Sequence, residues 1–384
     1  MKNSTRGAVD PFIVMDVMEA ARQAEAAGRH IIHMEVGQPA TLAPLGARNA
    51  LRDRLNATAM GYTVALGLPE LRSKIADLYG EWYDVDLDSN RVIVTSGSSA
   101  GFLLSFTSLF DAGERVGTGA PGYPSYRKIL KALDLTAVDI PTSAANKFQP
   151  HPTDLASLSL NGLLVASPSN PTGTMLSRGE LGALIKATER SEAAFISDEI
   201  YHGIEYETKA VSALEITNNC YVINSFSKYF SMTGWRIGWM VVPENHIRQV
   251  ERLAQNMFIC APHASQVVAL AAMECREELI AYKAVYEKNR RLMIDGLPEA
   301  GFDRIAPPDG AFYIYADISH LTSDSLSFAR QILQEAGVAV TPGLDFDTQR
   351  GAGSLRFSYA GSSEDIQEGL LRLKQFMQKK GFAA

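Results

Sequence analysis

Short runs of apolar residues recur along the middle of the chain, at lengths typical of buried strands. They are rich in Val and Ile, and they occupy residues 91–95, 115–119, 135–140, 162–166, 194–197, 220–224 and 236–242. Most of the intervening stretches carry apolar residues at the spacing of amphipathic helices. Strand-length runs that alternate with helical segments predict an α/β fold built on a mostly parallel, seven-stranded sheet.

The pattern changes after about residue 280, where longer helical segments alternate with shorter strand-like ones. Such an arrangement predicts a second, smaller α+β domain. We expect the large domain to span residues 46–280, and the small domain to combine 1–45 with 281–384. In this part the helical segments are 276–295, 325–336 and a stretch from Ser362, and the strand-like ones are 311–316 and 354–359.

Two helix starts in the large domain are recognisable from local sequence. Ser177 with Glu180 has the spacing of a capping box, in which each side chain bonds the other residue's backbone N–H. Pro69 suits a first helical turn, where its missing N–H is not needed. We therefore expect helices to begin at Pro69 and just after Ser177.

Polar clusters follow five of the predicted strands. Because the carboxyl ends of parallel strands meet at one edge of a sheet, where such sheets bind ligands, we expect these clusters to converge. One or two would be ordinary surface loops, but five favour a cofactor site. They are Ser96–Ser99, Pro121–Tyr126, Ser167–Gly173, Asp198–Tyr201 and Ser225–Lys228.

Composition narrows the classes of function. The chain has 384 residues, of which 46% are hydrophobic and 21% charged, and its formal net charge is -7. A mildly acidic chain without basic runs is a poor partner for nucleic acid or for an anionic membrane. The N-terminus has no signal-peptide pattern, and no stretch approaches the length of an apolar membrane span. Cys220, Cys260 and Cys275 form no CxxC pair, which favours reduced thiols and a cytoplasmic location.

The most specific segment is SFSKYFSMTGWRIG, at residues 225–238. A lysine forms a Schiff base only when its amine is deprotonated, which burial and nearby positive charge promote. Lys228 stands among Ser225, Ser227 and Arg236, whose hydroxyl donors and planar guanidinium suit a phosphate monoester. Taken alone, Lys228 would be an ordinary surface charge. Its neighbours favour a covalently held, phosphorylated cofactor.

A second candidate for phosphate binding is TSGSSA, at residues 95–100, where a strand, a glycine and a new helix follow one another. Gly97, Ser98 and Ser99 would bring backbone N–H groups and the positive end of the helix dipole next to an anion. A serine in this position is also an ordinary helix cap. The motif therefore supports a phosphate site only in combination with the Lys228 segment.

Four further residues suit an aromatic cofactor ring. Asp198, in ISDEIY, would pair as a buried carboxylate with a protonated pyridine nitrogen. Asn170, in SPSNPTGT, and Tyr201 could donate hydrogen bonds to a phenolate oxygen. Tyr123, in APGYPSY, could stack on the ring. Each also has a structural interpretation: a helix cap for the aspartate, a common turn for the asparagine and core packing for the tyrosines.

Arg356, Gly37 and Tyr62 complete the set of candidates. Arg356 lies inside an apolar strand, where it needs an anionic partner; a substrate carboxylate and a structural ion pair both fit. Gly37 would let the backbone approach a ligand closely, and Tyr62 stands shortly before a predicted helix. As isolated residues, both would be turn or packing elements.

The order of these motifs resembles that of the class I/II aminotransferases of fold type I, from about residue 31 to residue 376. It runs GxP, YTxxxGxxxLR, the serine-rich turn, PGYP, SNPTG, SDEIY, SFSKxxxMTGWRIG and LRFSYA. The resemblance implies a pyridoxal 5′-phosphate enzyme that moves an amino group from an amino acid to a 2-oxo acid. It also implies a homodimer in which Tyr62 reaches the phosphate of the partner subunit.

The resemblance further implies a role for each matching position. Lys228 would hold the cofactor as a Schiff base and later move a proton between substrate and cofactor. Arg356 would hold the substrate α-carboxylate, and Asp198 would pair with the ring nitrogen. The remaining matches would serve the ring oxygen (Asn170, Tyr201), the ring face (Tyr123), the substrate (Gly37, Asn170) and the phosphate (Gly97, Ser98, Ser99, Ser225, Arg236).

Two departures from the family pattern bear on the substrate. Some aspartate-type relatives carry a lysine for the distal carboxylate where Ser98 stands, and residues 255–264 contain no Arg or Lys. Both features favour neutral or aromatic amino donors over aspartate. Asp345 and Asp347 stand where many relatives have a glycine-rich turn, and the sequence indicates no role for them.

Two other functions are alternatives, and the motifs alone do not exclude the first of them. A β-lyase would share the cofactor and the removal of the Cα proton, and would differ in the group that leaves next. A regulator that reuses this fold would need a DNA-binding segment, and no basic helix-turn-helix is left over. The seven histidines form no recognisable metal-binding motif.

Overall fold

The computed structural model describes residues 1–382. The helices are α1 (Ile13–Ala26), α2 (Leu45–Ala57), α3 (Pro69–Tyr83), α4 (Ser98–Leu109), α5 (Pro124–Ala132), α6 (Pro152–Leu155), α7 (Arg178–Arg190), α8 (Ile247–Met257), α9 (His263–Ala272), α10 (Arg276–Glu299), α11 (Ser325–Gln331) and α12 (Ser363–Lys379). The strands are β1 (Ile32–His33), β2 (Val92–Thr95), β3 (Arg115–Ala120), β4 (Thr136–Pro141), β5 (Gly162–Ala166), β6 (Ala194–Asp198), β7 (Tyr221–Ser225), β8 (Gly238–Val241), β9 (Tyr313–Asp317), β10 (Val338–Ala339), β11 (Thr341–Pro342) and β12 (Ser354–Ser358).

Seven strands form the main sheet, in the order β2-β8-β7-β6-β5-β3-β4. All neighbours pair in parallel except β8, which runs antiparallel to both β2 and β7. Strand β2 therefore points the same way as β7, and the carboxyl ends of β2, β5, β6 and β7 meet at one edge. The predicted α/β class with a mostly parallel seven-stranded sheet is confirmed.

The main sheet buries apolar side chains on both faces because helices cover each side. In β2, Val92 and Val94 join one core with Leu71 of α3. Ile93, between them, faces the opposite core with Phe106 of α4. Two-sided burial explains why the strands of this sheet appear in the sequence as continuous apolar runs.

A smaller antiparallel sheet has the order β11-β12-β9, and β1 pairs in parallel with β10. Its core includes Ile314 of β9, Phe357 of β12 and Leu373 of α12. Helix α1 packs through Ala21 against Leu333, beside β10. The chain thus folds around separate apolar cores, while the exact domain boundaries stay a prediction.

The local signals for helix starts agree with the structure. Helix α3 begins at Pro69. Ser177 and Glu180 form the capping box ahead of α7, with Ser177 N donating to Glu180 Oε2 over 2.8 Å. Within the described residues, no helix is both long enough and apolar enough to cross a bilayer.

Two element boundaries differ from the sequence pattern. The strand expected from residue 311 begins at Tyr313, because Ala311 has a φ of 58°, outside the extended region. Helix α11 ends at Gln331, and a wider helical turn continues to Gly337. Gly337 has a φ of 67°, in the left-handed region that ends many helices and that glycine favours.

Candidate active site

A cavity of about 290 Å³ lies at the sheet edge where the carboxyl ends of β2, β5, β6 and β7 meet. Five apolar residues from the N-terminal part of the chain also line it: Phe12, Val14, Met15, Met18 and Val36. The structure brings eleven of the predicted site residues to its wall. These are Gly37, Ser98, Ser99, Tyr123, Asn170, Asp198, Tyr201, Ser227, Lys228, Arg236 and Arg356.

Three predicted site residues do not line this cavity. Gly97 lies directly behind it, and a Cβ there would stand 2.3 Å from Nη2 of Arg236. The hydroxyl of Ser225 is buried, 2.8 Å from the Ser227 hydroxyl and 3.0 Å from the carbonyl of Ile237. Tyr62 is 82% exposed and does not line the cavity of its own chain.

Lys228 carries the amine of the site. Its Nζ donates a hydrogen bond to the carbonyl of Gly37 over 2.7 Å. Burial, followed by the positive charges of Arg356 and Arg236, lowers the pKa of Lys228 from 10.5 to about 8. A neutral, nucleophilic amine is therefore accessible near physiological pH.

Gly37 allows this contact because its backbone lies against a tyrosine. A Cβ at position 37 would fall 1.7 Å from the hydroxyl oxygen of Tyr313. That hydroxyl is in turn 2.7 Å from the hydroxyl of Tyr201, whose ring lies 5.8 Å from the Nζ of Lys228. A larger residue at position 37 would displace this group of side chains.

Asp198 ends β6 at the floor of the cavity and is buried. The hydroxyl of Tyr126 donates to its Oδ2, and the backbone N–H of Ile200 donates to its Oδ1 over 3.1 Å. Burial raises the pKa of Asp198 to about 6, while these two hydrogen bonds oppose the rise. The carboxylate is thus predominantly charged at neutral pH and suits a cationic partner in the cavity.

Arg356, on β12, is a buried cation above the cavity. Its Nη1 donates to Oδ1 of Asn170 over 2.9 Å, and its Nη2 donates to the carbonyl of Glu35. The guanidinium also lies 4.4 Å from the ring centre of Tyr313. Its buried Nε has no hydrogen-bond partner among the described residues, so the group can accept an anionic ligand.

A corner of the cavity at the start of α4 is suited to bind an anion. Helix α4 begins at Ser98, after Gly97 with a φ of 77°. Such a helix start presents free backbone N–H groups and the positive end of the helix dipole. Arg236 lies across this start, and Ser227 faces it from the Lys228 segment. These donors together suit a doubly charged phosphate.

Tyr123 lies on one wall between two aromatic rings. Its ring centre is 5.3 Å from that of Tyr126 and 5.9 Å from that of Phe12, and both contacts are edge-to-face. The half-buried Tyr123 therefore has a fixed orientation and lines the cavity. A flat heteroaromatic ring could stack against it.

Sequence reasoning missed several residues of this site. Tyr126 lies three positions after Tyr123, at the start of α5, so helical spacing puts both on one side; that spacing was the available signal. Tyr313 and the side chains of α1 had none, because they reach the cavity from distant parts of the chain. Among residues 1–382, no group of three His, Cys, Asp or Glu side chains could hold a metal ion.

The chain matches known proteins along almost its whole length. It is 45% identical over 378 residues to a valine–pyruvate aminotransferase of Mycobacterium tuberculosis, which covers 97% of both chains. A solved protein from Silicibacter pomeroyi, 68% identical, superposes with a TM-score of 0.95 over 99% of this chain and 100% of that one. An aspartate aminotransferase from Thermus thermophilus, solved with maleate, is 28% identical. It superposes with a TM-score of 0.91 over 98% of this chain and 100% of that one.

The family match agrees with the arrangement of the cavity. Residues 29–373 match the family described as Aminotransferase class I and II. Proteins of this family use pyridoxal phosphate and act on amino acids and keto acids. The two-sided seven-stranded sheet, with its cavity at the carboxyl edge, is the fold type I architecture of such neighbours. This protein therefore belongs to the class I and II aminotransferases and is a pyridoxal-phosphate-dependent transaminase.

Proposed function

We propose that this enzyme transfers the amino group of a neutral, apolar amino acid such as valine to pyruvate, with its cofactor held on Lys228. The observation that carries the substrate assignment is the distribution of charge in the cavity. Its cations are Lys228, Arg236 and Arg356, and each has a function in holding the cofactor or the α-carboxylate. Among the described residues of one chain that line the cavity, no cation is left for a second, distal carboxylate.

The residues present fit pyridoxal 5′-phosphate. The phosphate would lie at the start of α4, against Ser98, Ser99, Ser227 and Arg236. Gly97 and Ser225 lie behind that corner. Arg236 packs against Gly97, and the hydroxyl of Ser225 bonds that of Ser227. The predicted ring contacts are Asp198 at the nitrogen, Tyr123 on the face, and Asn170 with Tyr201 at the ring oxygen.

The bound cofactor would supply an electron sink for the substrate Cα. Asp198 supports that chemistry because its buried carboxylate stabilises a protonated ring nitrogen. Asn170 has its Oδ1 bonded to Arg356, so its amide N–H groups are directed to other acceptors. One residue thus links the substrate carboxylate site to the ring oxygen site.

Lys228 would act as the acid and base at the substrate Cα. Because the pKa of its amine is lowered to about 8, Nζ can accept the Cα proton near neutral pH and release it again. Arg356 would orient the substrate by binding the α-carboxylate through parallel hydrogen bonds. The carbonyl of Gly37 holds Nζ in place between these events.

The substrate side chain would face an apolar wall. Phe12, Val14, Met15, Met18 and Val36 line the cavity without introducing a charge. Burial of an aliphatic side chain against such a wall is favourable by roughly 1.5–3 kcal/mol. The name of the valine–pyruvate relative, 45% identical, agrees with this choice.

We also propose a homodimer in which Tyr62 completes the partner's phosphate site. Tyr62, Val64, Met257 and Ile259 are large apolar residues that stay exposed in the single chain. Their two segments are adjacent, since Nδ1 of His263 lies 2.9 Å from the carbonyl of Gly61. An exposed apolar patch of this kind supports a second subunit packed against it.

The division into domains is part of the same proposal. Residues 1–45 and 281–384 would form the small domain that closes over substrate bound to residues 46–280. In support, Arg356 and the apolar wall reach the cavity from the first group of residues, and Lys228 comes from the second. The three cysteines are free thiols, which supports a cytoplasmic location.

Steady-state kinetics with a panel of donors tests the substrate assignment. With pyruvate as acceptor, we expect kcat/KM to be at least tenfold higher for valine than for aspartate. A preference for aspartate would contradict the assignment. Release of pyruvate from a β-substituted amino acid without an acceptor would indicate lyase chemistry, and binding of the cofactor without any turnover would indicate a regulator.

A further inference from the structure

Helix α1 begins beside the substrate cavity and has no cap of its own. The residue before its first turn is Phe12, whose side chain has no hydrogen-bond acceptor. Phe12 and the α1 residues Val14, Met15 and Met18 form most of the apolar wall of the cavity. The position of that wall therefore depends on whatever holds the start of α1.

Asp345 supplies the missing cap from the far end of the chain. Its Oδ1 accepts the backbone N–H of Ile13 over 3.1 Å, and its Oδ2 accepts that of Val14 over 3.2 Å. The carboxylate is only 1% exposed. A buried carboxylate at a helix N-terminus satisfies free N–H groups and complements the helix dipole.

Lys128, on α5, is a second anchor for the same turn. Its Nζ donates to the carbonyl of Pro11 over 2.8 Å and lies 4.7 Å from the ring centre of Phe12. It is also 3.7 Å from Oδ1 of Asp345. Arg127, its neighbour, donates to the carbonyl of Asp345 over 3.2 Å. The turn around Asp345 thus links α5, next to Tyr123, with the start of α1.

We propose that Asp345 and Lys128 are positioning residues for substrate selectivity. They hold the start of α1 so that its apolar side chains stand at a fixed distance from the substrate side chain. This inference rests on the proposed function, because it concerns the same cavity and the same class of donor. Neither residue touches the substrate; both act through the first turn of α1.

The effect should depend on the size of the substrate side chain. Valine reaches the wall formed by α1, whereas alanine leaves most of it uncontacted. Both share an α-carboxylate, so any change in the field of Asp345 at Arg356 affects the two substrates equally. The ratio of kcat/KM for valine to that for alanine therefore isolates the position of the wall.

The test compares Asp345→Asn with a matched control, Asp324→Asn, in the holoenzyme. Asp324 caps α11 by accepting the N–H of Ser327 over 3.0 Å, but it is exposed and does not line the cavity. Two readouts are measured: amide hydrogen exchange at residues 13–18, and the valine-to-alanine ratio. In Asp345→Asn one of the two acceptor oxygens becomes an NH2 donor, so one backbone N–H of the first turn loses its partner. Exchange at α1 should therefore speed up about fivefold in Asp345→Asn only, because Asn at position 324 keeps its single acceptor oxygen.

We expect the valine-to-alanine ratio to fall at least fivefold in Asp345→Asn and to stay unchanged in Asp324→Asn. If Asp345→Asn does not fold, Lys128→Ala removes the second anchor and should shift both readouts in the same direction. Unchanged exchange at α1, or faster exchange with an unchanged ratio, would overturn the proposal. A wild-type enzyme that used neither substrate would instead overturn the proposed function, and the selectivity role with it.

Discussion

At the scale of single residues, the lowered pKa of Lys228 makes a prediction about pH. The pKa is about 8 because Lys228 is buried and lies near Arg356 and Arg236. Because this pKa is lowered, the amine loses its proton at a lower pH than an ordinary lysine does. At pH 7 about one amine in ten would be neutral, against about one in 3,000 for an ordinary lysine. Capture of pyridoxal phosphate by the apoprotein should therefore rise with a midpoint near pH 8.

The control for this prediction uses the neighbouring arginine. Arg356→Met removes one of the two nearby positive charges, so the midpoint for Lys228 should move to higher pH. Arg356→Lys keeps the charge and should leave the midpoint near that of the wild type. The growth of the visible absorption band over a pH series measures all three proteins. A wild-type midpoint close to 10.5 would show that burial does not act on Lys228 as described.

Tyr126 gives a second prediction at this scale. Its hydroxyl donates to Asp198, which stabilises the charged carboxylate against the cost of burial. In Tyr126→Phe the pKa of Asp198 should rise further, so less carboxylate is available for the cationic ring nitrogen. We expect the affinity for pyridoxal phosphate to fall roughly tenfold, the loss of a hydrogen bond to a charged group.

Fluorescence titration with the cofactor would measure this loss, and Tyr221→Phe is the matched control. Tyr221 is also buried, and its hydroxyl lies 3.0 Å from Nδ1 of His246, away from the cavity. Equal losses of affinity in Tyr126→Phe and Tyr221→Phe would mean that general destabilisation, and not Asp198, is responsible.

Functional residues could be predicted from the sequence where the residues that act together are also close together in the chain. Lys228, Ser227 and Arg236 lie within one short segment, so their proximity could be expected from the sequence alone. Asp345 could not be interpreted in that way, because its partners Ile13 and Val14 are more than 300 residues away. A cap supplied by a distant segment leaves no local pattern.

At the scale of elements, the capping box of α7 predicts a loss of stability without a loss of function. Ser177→Ala removes the hydroxyl that bonds the N–H of Glu180. The free energy of unfolding should fall by about 1 kcal/mol, the usual value of such a cap. Urea denaturation would measure it, and kcat/KM should be unchanged because α7 does not line the cavity. Ser191→Ala, at the other end of α7, should lower the free energy of unfolding much less.

The main sheet could be predicted because its strands are buried on both faces. Several of these strands are continuous apolar runs followed by a polar cluster, as in Gly162–Ala166 before Ser167. Elements with weaker patterns were less predictable. The short pairs Ile32–His33 and Val338–Ala339 form strands only because they meet each other. Ala311 departs from the expected strand because of a backbone conformation that its sequence does not indicate.

At the scale of the whole molecule, the proposed dimer makes Tyr62 a residue of the other subunit's site. Tyr62→Phe should leave the dimer intact and weaken cofactor binding about tenfold, because one hydrogen bond to a charged phosphate is lost. Tyr62 is exposed in the single chain, so in a monomer the substitution would not alter the affinity for the cofactor. Light scattering gives the assembly state, and cofactor titration gives the affinity.

A matched change separates the interface from the phosphate contact. Ile259→Asp puts a charge into the exposed apolar patch and should weaken the dimer itself. A monomeric wild-type enzyme with full activity would contradict the proposal. So would a Tyr62→Phe variant with unchanged affinity for the cofactor.

The absorption spectrum of the purified enzyme during the two half-reactions tests the role of Lys228 and of this cavity most directly. We expect a visible band that depends on Lys228 and is lost in Lys228→Ala. Valine should convert this band to the near-ultraviolet absorption of the aminated cofactor, and pyruvate should restore it. Conversion by aspartate but not by valine would contradict the proposed substrate class. A band that no amino acid changes would contradict the assignment of this cavity as the transamination site.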